Sequence, residues 1–92
     1  MSELDGQWNV ERTAGFLPPL LGVQKHIAGG RGETRIGALP GVPFDVVGRE
    51  LRYRRPFSGF VDVVEPDEQG FSGLATFRGR TFGAFVLRRI AG

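Results

Sequence analysis

Apolar and polar residues alternate with a period of two through most of the chain. No window holds apolar residues at i, i+3, i+4 and i+7 for three turns without meeting glycine or proline. The pattern therefore predicts strands and almost no helix. A first strand spans Gln7 to Thr13, with Trp8 and Val10 on one face and Asn9 and Glu11 on the other. Pro18-Pro19 cannot donate ladder hydrogen bonds, so Phe16 to Leu20 is expected as an extended connection. In a second strand, Leu21 to Ala28, the residues Leu21, Val23, Lys25 and Ile27 share a face opposite Gln24 and His26. A flexible turn at Gly29-Gly30-Arg31-Gly32 leads into a third strand, Glu33 to Leu39, which Pro40-Gly41 ends.

Val42 to Val47 is unusually apolar, which predicts burial on both faces or at an interface. Gly48 then marks either a bulge or, with Arg49, a hairpin turn. Glu50 to Arg54 alternates, with Leu51 and Tyr53 facing one way. After Arg55-Pro56 comes a strand from Phe57 to Glu65, a hairpin loop over Pro66-Asp67-Glu68-Gln69-Gly70, and a strand from Phe71 to Arg78. A two-residue turn at Gly79-Arg80 precedes the last strand, Thr81 to Ile90. The count is seven if Gly48 is a bulge and eight if it is a turn. An even count lets the first and last strands of a meander pair antiparallel, and closure removes the edges that would template aggregation. Eight is favoured. The expected fold is all-β: a small antiparallel up-and-down meander of seven to eight strands forming a closed or nearly closed barrel, one domain over residues 1–92.

Composition fits this picture and narrows the functions. Ninety-two residues allow one core, and 15 glycines with 6 prolines suit many turns. Without cysteine there is neither a disulfide framework nor a thiolate metal site. Met1-Ser2-Glu3-Leu4-Asp5 lacks the basic start and apolar run of a secretory signal, and no apolar stretch is long enough to span a bilayer as a helix. A cytoplasmic chain beginning near residue 1 is expected. Its basic side chains are arginines except for Lys25, but ten acidic residues leave a net charge of only +2. Nucleic acid is therefore disfavoured as a partner, although Arg52 to Phe57 and Phe77 to Phe82 interleave cations with aromatics.

Candidate chemistry lies in the interior. Gly73, Ala75, Gly83 and Ala84 line up in the last hairpin, where small residues permit strong curvature or leave space for a ligand. Trp8, Tyr53, Phe57, Phe71 and Phe77 are the large aromatics expected inside, as core packing or as ligand contacts. Arg12 shares the parity of Trp8 and Val10, so it either snorkels out at the barrel end or turns inward to meet an anion such as a carboxylate. Asp45 and Asp62 sit among apolar neighbours, which would raise a carboxyl's affinity for its proton and suit a general acid or base; the favoured reading has each facing solvent or hydrogen-bonding a neighbouring strand. Phosphate-loop, zinc-protease and dinucleotide motifs are absent, and His26 falls on a polar face.

Leu4-Asp5-Gly6-Gln7-Trp8, at the head of the first strand, resembles the G-x-W opening of lipocalins and related calycins. The resemblance implies a barrel whose Trp closes one end and whose late Arg, here Arg88 or Arg89, packs across it. The chain departs from the family in its short length and in lacking a Thr-Asp-Tyr pattern in the Glu65 to Gly70 loop. Heme-binding relatives need an imidazole late in the chain, whereas the sole histidine is His26 in the second strand, so neither heme nor another cofactor is expected. The leading expectation is non-enzymatic, lipocalin-like binding of a small apolar or amphipathic molecule at Trp8, Arg12, Tyr53, Phe57, Phe71, Phe77 and Arg88. One alternative is a homodimer pairing through Phe44, Val46 and Val47. Another is a small isomerase or cyclase using Asp45 or Asp62.

Overall fold

The computed structural model describes residues 3–15 and 22–90. They form eight strands: β1 (Gly6–Gly15), β2 (Val23–Ala28), β3 (Arg31–Ile36), β4 (Val42–Val47), β5 (Glu50–Tyr53), β6 (Phe60–Asp67), β7 (Gly70–Phe77) and β8 (Arg80–Arg89). Each pairs antiparallel with the next and β8 pairs antiparallel with β1, giving a closed barrel. No helix among the described residues is long and apolar enough to cross a membrane. Gly48-Arg49 is a hairpin turn, with Val47 opposite Glu50 and Val46 opposite Leu51, so the strand count is eight. The expected connection Phe16 to Leu20, together with Leu21, lies outside the described residues.

Several boundaries move, each for a local reason. Ala28 pairs with Arg31 and Ile27 with Gly32, which narrows the second turn to Gly29-Gly30 and draws Arg31 and Gly32 into β3. The β6–β7 loop shrinks to Glu68-Gln69 because the Asp67 carboxylate accepts the Gln69 backbone N–H at 2.9 Å and the Ser72 hydroxyl at 2.7 Å, holding Asp67 in its strand. The last turn is Arg78-Gly79, one residue earlier than expected, with Arg78 at φ 50°. β4 keeps its expected bounds but is not buried on both faces. Phe44 is 0% exposed inside the barrel while Val47 points out to solvent, since no second layer among the described residues covers the outer face. The apolar run around Phe44, Val46 and Val47 is thus divided between the two faces and presents no continuous outer stripe for pairing copies.

The interior divides into a filled half and a hollow half. At the closed end Leu4, Trp8, Phe44, Leu51, Val64, Phe71 and Leu87 pack together. The Trp8 indole N–H donates to the Leu4 carbonyl at 2.9 Å, and the ring meets Phe71 edge-on at 5.4 Å. The Arg89 guanidinium lies 4.3 Å from the Trp8 ring centroid and donates to the Asp5 carbonyl at 3.2 Å, a cation–π contact that seals this end. Toward the other end the inward residues shorten on three strands, where Val10 follows Trp8, Val42 precedes Phe44 and Ala75 lies beyond Phe71, while Tyr53, Phe60 and Phe85 keep the opposite wall aromatic. That taper leaves space.

Small residues in the last hairpin serve closure first. The ring of Phe85 occupies the room a side chain at Gly73 would take, and Ala84 faces outward with Leu74, so of these residues only Ala75 lines the hollow half. At Gly70 φ is +150°, and a Cβ there would come far inside van der Waals contact distance of the Leu87 carbonyl oxygen and press on the Trp8 ring. Because both the backbone angle and the neighbouring backbone oppose a side chain, Gly70→Ala is expected to destabilise the fold by about 2–4 kcal/mol. Denaturant unfolding measures this as a lower midpoint at unchanged slope; an unchanged midpoint contradicts the close approach.

Candidate ligand cavity

The hollow half is a cavity of about 490 Å³. Among the described residues its wall is Val10, Val23, Ile36, Val42, Phe57, Phe60, Ala75, Phe82 and Phe85, with Lys25, Thr34, Tyr53 and Asp62 supplying the polar atoms. Among the described residues it opens at the end where β3 stops and β6 starts. Phe60 is the centre of its aromatic rim, 4.7 Å from Phe77, 6.0 Å from Phe82 and 6.4 Å from Phe57 between ring centroids.

The polar atoms form one closed network. Alternation in β2 brings Lys25 inward between Val23 and Ile27, and alternation in β6 does the same for Asp62 between Phe60 and Val64. Lys25 is only 3% exposed and Asp62 only 7%, and the ammonium stands 3.1 Å from the carboxylate. Lys25 also donates to Thr34 Oγ1 and to the Tyr53 hydroxyl, each at 2.7 Å. Thr34 and Tyr53 bond to one another at 2.7 Å, and Tyr53 donates to Asp62 Oδ2 at 3.2 Å. The three ammonium protons therefore have three acceptors, and the tyrosyl proton has a fourth bond. The rings of Phe44, Tyr53 and Phe85 surround the ammonium at 5.2, 5.3 and 5.7 Å from their centroids.

Burial alone would lower the proton affinity of Lys25, but Tyr53 and Asp62 outweigh it and raise the ammonium above its ordinary 10.5. Burial is also the main reason the Tyr53 phenol lies above its ordinary 10.0, with the Asp62 charge adding and Lys25 and Thr34 opposing. The network is thus a neutral pair with every proton held. It can floor an apolar site without attracting a charge of either sign.

The seven residues expected to contact a ligand separate into distinct places. Tyr53 and Phe57 line the cavity. Trp8 and Phe71 belong to the filled end, and Phe77 stands exposed behind Phe60 at the rim. Arg12 is exposed in the open half of β1 and is not a wall residue. Arg88 points to the outer face, where it pairs with Asp67 at 3.0 Å; Arg89 rather than Arg88 lies on Trp8. The Asp67 carboxyl is held down at about 2 by the Ser72 hydroxyl first, then the Gln69 N–H and Arg88. Asp45 is also on the outer face, paired with Arg54, whose hydrogen bonds hold its carboxyl below the ordinary 3.8. This is opposite to the raised affinity expected from its apolar neighbours, because the guanidinium reaches it across the strand pair. His26 bonds to Gln24 on the outer face.

Sequence reasoning passed over Lys25 and Thr34. The available signal was a lone lysine on the apolar face of a strand, which requires an inward acid, and Asp62 has the matching parity.

Removing one member of a buried pair strands the other. Lys25→Met or Asp62→Leu alone is expected to cost about 3–5 kcal/mol, and the two together to cost less than either single change. A double-mutant cycle in urea measures the coupling; additive losses would contradict a paired charge. Both raised groups bind their protons more tightly folded than unfolded. Their contribution is fully present below the ordinary values near 10–10.5 and is lost as pH rises through the folded values. Unfolding free energy is expected to fall on the alkaline side, with a shallower fall in the double variant; equal slopes would contradict the assignment.

No protein-family model, no curated protein and no solved structure matches the chain.

Proposed function

We propose that the chain is a non-enzymatic binding protein that holds a small apolar or amphipathic molecule inside the barrel. The observation that carries this is the cavity itself: about 490 Å³, apolar on nearly all its wall, sealed at one end and, among the described residues, open at the other. Ligand sites of roughly 300–1,000 Å³ with apolar walls and a few placed polar groups are the common form. At liquid density the space would take about sixteen waters, most without a wall group to bond, so an apolar occupant gains by releasing them.

The floor sets a limit on the occupant. Because Lys25 and Asp62 neutralise one another and the ammonium protons are held, a charged head group would have to break that pair to reach the bottom. The apolar part of the occupant therefore enters first, and any charge it has stays at the mouth. Gly6-Gln7-Trp8 with Arg89 across the indole gives the calycin resemblance a spatial counterpart, and that supports reading the barrel as a small lipocalin-like binder.

N-phenyl-1-naphthylamine, a neutral dye whose emission rises in apolar surroundings, is expected to bind with one site per chain. Val42→Phe and Ala75→Leu, which add volume at two separate points of the wall, are each expected to weaken binding by about tenfold or more while the far-ultraviolet spectrum stays that of a β-barrel. No emission change with the wild type, or unaltered affinity in both folded variants, would remove the proposal.

A further inference from the structure

The modest net charge conceals an uneven distribution along the barrel. Toward the closed end Glu3, Asp5, Glu50, Glu65, Asp67 and Glu68 stand among Arg31, Arg49, Arg52, Arg88 and Arg89, so charge there nearly cancels. At the mouth it does not. The β5–β6 loop and the β7–β8 turn contain no acidic residue, and they or the strand next to them carry Arg55, Arg78 and Arg80, all exposed. None of these three has an ion-pair partner among the described residues.

The same end carries much of the exposed apolar surface. Leu39, in the β3–β4 loop, is 65% exposed, and Ile36, Phe57 and Phe77 are exposed around the same opening. Two of these loops are fastened together. The Arg78 N–H donates to the Gly59 carbonyl at 2.9 Å, the Phe77 ring covers Gly59, and the Arg78 guanidinium lies 5.3 Å from the Phe77 centroid. Aromatic and cationic groups are thereby held side by side on a rigid support.

We propose that the open end docks onto an anionic lipid bilayer, with Leu39, Phe57 and Phe77 entering the interface and Arg55, Arg78 and Arg80 meeting lipid phosphates. The combination favours a bilayer over other polyanions. Apolar side chains from two loops and the end of β7 around a curved rim suit a deformable interface, and cations beside them suit its phosphates. A single-stranded nucleic acid would use the two phenylalanines as stacking platforms but would leave Leu39 and Ile36 without a π-face to stack or a role. Docking stands on the rim alone; that the bilayer also supplies the cavity's occupant rests on the function proposed above.

Co-sedimentation with vesicles tests this. Vesicles of phosphatidylcholine with an equal share of phosphatidylglycerol are expected to pellet the protein, whereas phosphatidylcholine alone retains much less. Raising salt releases it. Each arginine near such a surface contributes about fivefold in partitioning, so the triple variant Arg55→Gln, Arg78→Gln, Arg80→Gln is expected to lose about a hundredfold. Leu39→Ser is expected to lose about tenfold without touching a charge. Val42→Phe, which fills the cavity and spares the rim, should still pellet. Protein that binds the dye yet stays in the supernatant with the anionic vesicles overturns the docking and leaves the binding function standing. Protein that pellets yet takes no dye does the reverse. Equal pelleting of the triple variant, or retention on single-stranded RNA with no affinity for vesicles, also overturns it.

Discussion

Pairing of β1 with β8 is the constraint on which the interior depends. Hydrogen bonds along that seam turn an open meander into a ring, and only a ring distinguishes an inside from an outside for residues that merely alternate along a strand. The seam is irregular between Arg12 and Ala14, and the neighbouring pair of strands between Ala75 and Thr76. Such irregularities add local twist and bend, which a ring of eight short strands requires. The glycines of the last hairpin act with them by letting Phe85 fold in over Gly73.

Given a ring, side-chain size along each strand decides how the interior is used. Large residues at one end, Trp8, Phe44, Phe71 and Leu87 among them, make the hydrophobic core from which most of the stability derives. At the other, Val10, Val42 and Ala75 are too short to meet the aromatic wall of Phe60, Phe82 and Phe85, and the space between stays hollow. Lys25, Thr34, Tyr53 and Asp62 lie between the two. Such a layer is costly to desolvate and gains its tolerance from complete internal pairing, so it adds less to stability than an apolar layer of equal volume would. What it adds is orientation: a floor that accepts uncharged matter and turns away charge.

The fold was legible because alternation and turn chemistry are local. Gly48-Arg49 and the parity of Leu51 with Tyr53 needed only their neighbours, and the number of strands followed from the requirement that a meander close. Turn positions slipped by a residue where a side chain intervened, as Asp67 does by capping the Gln69 N–H. Depth was not legible. Trp8, Phe71 and Tyr53 look alike in the sequence, all large aromatics at inward parity, but their distance along the barrel axis separates packing from cavity wall. The partnership of Lys25 with Asp62 joins strands far apart in sequence across the barrel, and it emerges only from two inward charges of opposite sign considered together. Arg88 and Arg89 differ by a single step of alternation, which sends one outward to Asp67 and the other over the indole.

The Trp8 seal has a topological corollary. Leu4 and Asp5 on one side and Arg89 and Ile90 on the other meet at that pole, where the Ile90 N–H also donates to the Gln7 carbonyl at 2.9 Å. Both directions in which the polypeptide could be extended leave from beneath the indole. A tether, tag or neighbouring domain attached at either terminus would hold the barrel like a cup by its base, with the aperture turned away from the attachment.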